Sequence, residues 1–175
     1  MTKRVFTAIG ISKELQNEIS RWQEERADWP ARWVKGNNLH ITLTPPWHEE
    51  NISAVADSLK TMKGKFAPFQ VRFDRVEFGP DQRRQRLIWA VGKMPPEIIA
   101  LKNKIAAVIE RGAGRQSILL HLTLARFREE NFADFPVKTL NEKIDWHFEA
   151  HSFLLMESVL KNTGVEYIAL EEFKF

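Results

Sequence analysis

Two tetrapeptides of one form, His-x-Thr-Leu, stand about eighty residues apart: His40-Ile41-Thr42-Leu43 and His121-Leu122-Thr123-Leu124. With five His, eight Thr and fifteen Leu in 175 residues, chance supplies about 0.02 such tetrapeptides, so the repeat reads as a motif. Histidine titrates near neutrality, at about 6.5 when unperturbed, so one ring can take a proton while another gives one. A threonine hydroxyl donates a hydrogen bond to an anion's oxygen. Two imidazoles and two hydroxyls around one tetrahedral anion suit phosphodiester transfer or hydrolysis without a metal.

The elements around each motif must place both side chains on one face. Residues 39–43 and 118–124 are apolar and β-prone. Residues two apart on a strand share a face, so His40 with Thr42, and His121 with Thr123, point one way. Ile41, Leu43, Leu122 and Leu124 then point into a core. A single such strand is ordinary sheet with a histidine at a polar edge; the pair carries the functional reading.

The rest of the pattern alternates strands and helices. Residues 3–11 read as a strand: Lys3-Arg4 is a basic start, but its short apolar run meets Lys13-Glu14 with no small-residue cleavage site, unlike a signal peptide. Ser12 caps a helix over 13–27 with Leu15, Ile19 and Trp22 as its stripe. Residues 47–50 read as a loop after Pro45-Pro46, and Asn51 caps a helix over 51–63. Residues 67–78 and 85–93 form a hairpin around Gly79-Pro80-Asp81. Pro95-Pro96 opens a helix over 96–111 that Gly112 can end, followed by a loop over 112–117. After a loop around 129–143, strands over 146–156 and 165–174 are joined by a turn at 161–164. This predicts an α+β fold of two pseudo-symmetric lobes. Each is an antiparallel sheet packed with helices, and the two flank a central cleft carrying the two H-x-T-L strands. Residues 1–175 are expected to form one bilobal domain.

Composition bounds the chemistry. Hydrophobic content of 43% and charged content of 28% suit a globular protein. The net charge of +3 is compatible with an anionic partner. With no cysteine there is no disulfide, thiolate nucleophile or Cys-based zinc site, which agrees with a cytoplasmic setting. No apolar run is long enough to span a membrane as a helix.

The paired motifs, at this spacing in a chain of this size, resemble the two-histidine phosphoesterase superfamily. The nearest branch in pattern is the RNA 2′,3′-cyclic phosphodiesterase or 2′-5′ RNA ligase-like proteins. Residues 4–9, Asn38-Leu39, residues 86–89, Arg126, Ser158, Gly164 and Tyr167 also fit. The resemblance implies a bilobal fold and metal-independent hydrolysis of an RNA 2′,3′-cyclic phosphate to a 2′-phosphate. It needs no cofactor and no membrane, and the protein is expected to be a monomer with RNA ends as its partner. By that likeness His40 protonates the departing 3′ oxygen, His121 activates water, and Thr42 and Thr123 bind the non-bridging oxygens. Arg126 matches an arginine that follows the second motif. It either contacts phosphate or base, or pairs with a carboxylate.

Two positions depart from the pattern. Leu120 stands where proline is common, and Thr44-Pro45-Pro46-Trp47 delays an expected aromatic by two residues. Trp47 is therefore either a packed loop residue or a base-stacking platform. Arg83, Arg84 and Arg86 form either a solvated turn or a rim attracting RNA. His48, His147 and His151 lack a partner pattern. Rival readings keep the site but change the reaction to 2′-5′ ligation or another cyclic nucleotide, or keep the fold as a non-catalytic binder of RNA ends.

Overall fold

The computed structural model describes residues 2–81, 83–110, 119–162 and 164–175. The expected helix end at Gly112, the loop over 112–117, Ile118 at the start of the second motif strand, and Thr163 in the last turn lie outside the described residues.

Strand β1 (Lys3–Gly10) is buried on both faces from Val5 to Ile9. It sits in the middle of the first sheet, as burial on both faces requires. Helix α1 (Lys13–Glu24) follows, with the Ser12 hydroxyl accepting from Leu15 N at 3.2 Å. The two-residue strand β2 (Arg32–Trp33), then β3 (His40–Thr42) and β4 (Trp47–Glu49), lead to helix α2 (Ile52–Lys60), capped by Asn51. The long hairpin β5 (Phe69–Asp81) and β6 (Arg84–Lys93) precedes helix α3 (Pro96–Val108), which has proline in its first turn. Then come β7 (Leu119–Arg126), β8 (Asn141–Ala150), β9 (Ser152–Lys161) and β10 (Gly164–Lys174).

These strands make two five-stranded antiparallel sheets. The first runs β10-β9-β1-β3, with β4 also on β1; the second runs β2-β7-β6-β5-β8. Each sheet holds one motif strand, as the α+β two-lobe reading requires. The lobes are not successive halves of the chain. The first sheet takes both ends of the sequence, and β2 from the first third crosses to the second. One hydrophobic core runs through Ile9, Ile19, Leu59, Phe73, Leu101 and Leu122, joining both sheets and all three helices. A smaller cluster of Phe6, Ala8 and Met156 lies on the other face of β1, with Leu154 and Tyr167 against it.

Two expectations are corrected. Residues 47–50 are not simply a loop, because Trp47–Glu49 pairs with Lys3–Val5 as β4. Residues 146–156 are not one strand. The buried set runs Trp146, Phe148, Ala150 and then Phe153, Leu155, so its parity switches across His151. There the chain leaves the second sheet as β8 and enters the first as β9. A similar parity switch, between Phe73 and Val76, marks a bulge against β8.

Candidate active site

On β7, Leu120, Leu122 and Leu124 are fully buried. Burying each contributes about 1.5–3 kcal/mol. A slip of one residue would bury His121 and Thr123 in their place, so the register is fixed and both polar side chains stay on the open face. In β3, buried Ile41 and the following Leu43 do the same for His40 and Thr42. Past Thr42, Pro45 and Pro46 cannot donate to a ladder. Just before them, Thr44 ties the chain to β1: its hydroxyl accepts from Thr7 N at 3.0 Å and shares a hydrogen bond with the Thr7 hydroxyl at 2.9 Å, both in the interior.

His40, Thr42, His121, Thr123 and Arg126 line one cleft of about 290 Å³ between the sheets. The His40 Nδ1 lies 2.7 Å from the Asn38 carbonyl oxygen. A carbonyl only accepts, so Nδ1 carries the proton and neutral His40 has a bare Nε2. His121 makes the matching bond to the backbone of Leu119, also two residues upstream. Asn38 is itself clamped to β10: its Nδ2 donates to Val165 O at 3.1 Å, and its Oδ1 accepts from Tyr167 N at 3.0 Å. The Tyr167 ring meets His40 edge-on at 4.8 Å, and Phe6 lies 5.0 Å from it. Trp89 packs 5.0 Å from His121. Behind β7, the buried Gln23 amide of α1 donates to Leu124 O at 3.2 Å and to Val34 O at 2.8 Å.

Burial lowers the pKa of both histidines. For His40, the bond to Asn38 opposes this, and the Arg126 and His121 charges add to it. For His121, the Leu119 bond opposes it, and the Lys102 and Arg126 charges add to it. The unfolded chain titrates these rings near 6.5. Below that value it therefore binds more protons than the folded protein, and stability falls as pH drops toward the folded pKa values. Urea midpoints should decrease between about pH 7.5 and pH 5.5, and a His40→Asn/His121→Asn double variant should lose less over the same interval.

Other sequence candidates fall elsewhere. Trp47 is half-buried on β4 and donates its indole N–H to Glu49 Oε2 at 3.1 Å; Pro46, not Trp47, lines the cleft. The rings at the cleft are Phe6 and Tyr167. Arg83, Arg84 and Arg86 are exposed near the β5–β6 turn and do not line the cleft. His48, His147 and His151 are exposed; His147 sits 3.4 Å from Asp145 and His151 3.1 Å from Glu149. Among the described residues, no three His, Asp or Glu side chains come together as a metal-ligand set. Among them also, no helix is long and apolar enough to cross a membrane.

Known proteins resemble this chain over nearly its whole length. It is 25% identical over 178 residues to an RNA 2′,3′-cyclic phosphodiesterase of Archaeoglobus fulgidus, covering 98% of this chain and 99% of that protein. For the Aquifex aeolicus protein of the same name the figures are 24% over 186 residues, 97% and 96%. Among solved structures, apo E. coli LigT superposes with a TM-score of 0.76 at 21% identity, covering 99% of this chain and 97% of that one. A Thermus thermophilus protein gives 0.76 at 20%, covering 98% and 97%. The family model described as the 2′-5′ RNA ligase superfamily matches residues 11–162, a span that includes both motif strands, and the chain belongs to that superfamily.

Proposed function

We propose that this cleft hydrolyses the 2′,3′-cyclic phosphodiester at the end of an RNA and leaves a 2′-phosphate, without a metal. One observation carries the reading: two imidazoles, each held by a backbone bond two residues upstream and each beside a threonine, reach a single cleft from separate sheets. In this reading residues 1–175 act as one bilobal unit, because each lobe supplies one histidine. The names of the relatives support the substrate class.

The reaction balances on these groups alone. The unprotonated ring nitrogen of His121 takes a proton from water, whose oxygen attacks phosphorus. The P–O3′ bond breaks, and protonated His40 gives its Nε2 proton to the departing O3′. Thr42 and Thr123 donate to the non-bridging oxygens as charge builds on them. A bound phosphate anion between the rings favours one proton on the pair, offsetting the effect of burial.

The test is a short RNA ending in a 2′,3′-cyclic phosphate, incubated in EDTA, with the product resolved as 2′- or 3′-phosphate. A 2′-phosphate at undiminished rate is expected. Activity lost on chelation and restored by zinc would overturn the reading. So would binding of phosphorylated ends with no turnover from about pH 5 to pH 9, where an acid–base pair should turn over.

A further inference from the structure

Arg126 is the last residue of β7, and its direct cross-strand partner is Arg32 of β2. Residues opposite each other on an antiparallel pair have their Cβ atoms about 4.5–5.5 Å apart, and like charges so placed repel. Neither guanidinium has a carboxylate within ion-pair distance among the described residues, and both residues are exposed. By contrast, Lys161 nearby is already paired with Glu166. Two arginines set face to face, with no carboxylate partner among the described residues, cost stability unless an anion lies between them.

Their position says which anion. Arg126 lines the 290 Å³ cleft that holds both histidines. It also lines, with Arg32, a second groove of about 380 Å³ that shares Asn38 and Tyr167 with the cleft. The two cavities are neighbours, and Arg126 lines both. Room for the second guanidinium comes from Gly164: a Cβ there would lie 3.1 Å from Arg32 Nη1, and its φ of +128° suits glycine.

We propose that Arg32 and Arg126 clamp the internucleotide phosphate next to the reacting end, so that the substrate is an RNA strand and not a single nucleotide. The proposal rests on the reading of the cleft given above. The terminal cyclic phosphate lies between the histidines, and the chain leaves through the second groove, where its next phosphate meets two charged forks. Arginine suits this because its planar donors match phosphate oxygens in pairs.

Binding, not turnover, tests the clamp, so its failure is separable from failure of the proposed hydrolysis. The probe is a short RNA ending in a 2′-phosphate, compared with the same RNA carrying an uncharged methylphosphonate at the linkage between its last two nucleotides. Wild type should bind the native strand about tenfold more tightly than the neutral one. In Arg32→Gln, with Arg126 still present, that ratio should fall to about threefold, and the slope of log K against log salt should flatten by about one. Arg32→Lys, which keeps the charge but not the fork, should restore part of the ratio. An unchanged ratio in Arg32→Gln, or no preference in wild type, overturns the proposal.

Discussion

Replacing His40 or His121 with alanine should lower kcat on an RNA 2′,3′-cyclic phosphate by about 10²- to 10⁴-fold. The two losses should not add in the double variant, because the rings act as a pair on one proton inventory. KM should move little, since Thr42, Thr123 and Arg126 still line the cleft. The variants should remain folded. Both rings are only half-buried, whereas the leucines that fix β7 are untouched. The wild-type pH dependence of kcat/KM should be a bell, since one ring must be neutral and the other protonated. Because kcat/KM reports the free enzyme, and burial holds both rings below their ordinary value, the bell should centre on the acid side of about 6.5. Steady-state kinetics on wild type and the two alanine variants measure all of this. A variant retaining near wild-type kcat would remove that histidine from the mechanism.

Trp22→Ala should strongly lower stability, costing about 3–5 kcal/mol. Trp22 is 7% exposed and lies on α1, where it meets three other tryptophans edge-on: Trp29, Trp33 and Trp146, at 6.0–6.3 Å. Its indole N–H donates to Glu142 Oε1 at 2.9 Å. Arg26 stacks on it at 4.0 Å and reaches the other Glu142 oxygen at 2.9 Å. Residues of α1, β2 and β8 thus converge on one ring. Against a total stability of about 5–15 kcal/mol, the truncation removes a large share. Urea unfolding followed by circular dichroism should show a much lower midpoint for Trp22→Ala. Trp22→Phe keeps an aromatic face but loses the bond to Glu142, and should fall between the two. If Trp22→Ala unfolds at the wild-type midpoint, the cluster does not bind α1 to the second sheet.

Local pattern was enough for much of this molecule. Ser12, Asn51 and Pro96 sit at helix starts as their side chains require, and alternation in β7 placed His121 and Thr123 on one face. The irregularity between β5 and β8 is written in the apolar parity around Asp74-Arg75, where Phe73 is followed by Val76. What escaped was non-local. The two-residue strand β2 leaves no period to read, so the facing of Arg32 and Arg126 was invisible. Gln23 resembles any polar residue on a helix until its carbonyl partners, Val34 and Leu124, arrive from distant positions. Tyr167 and Phe6 surround His40 only because β10, β9 and β1 lie side by side. Trp47 could be read either as a packed residue or as a stacking platform, and only the non-local pairing of β4 with β1 sets its indole against Glu49.

The interleaving of the two sheets also has a consequence for synthesis on the ribosome. β1 is translated first among the strands and has β3 and β4 for one edge soon afterwards, but its other edge waits for β9, which begins at Ser152. At typical elongation rates the gap lasts on the order of ten seconds. Throughout it the nascent chain carries a mostly apolar strand, Val5 to Ile9, with one edge unpaired. Sheet two can close meanwhile, since β2, β5, β6, β7 and β8 all precede β9. Folding on the ribosome would thus complete the lobe of His121 before that of His40, and a chaperone that shields β1 would act in that interval.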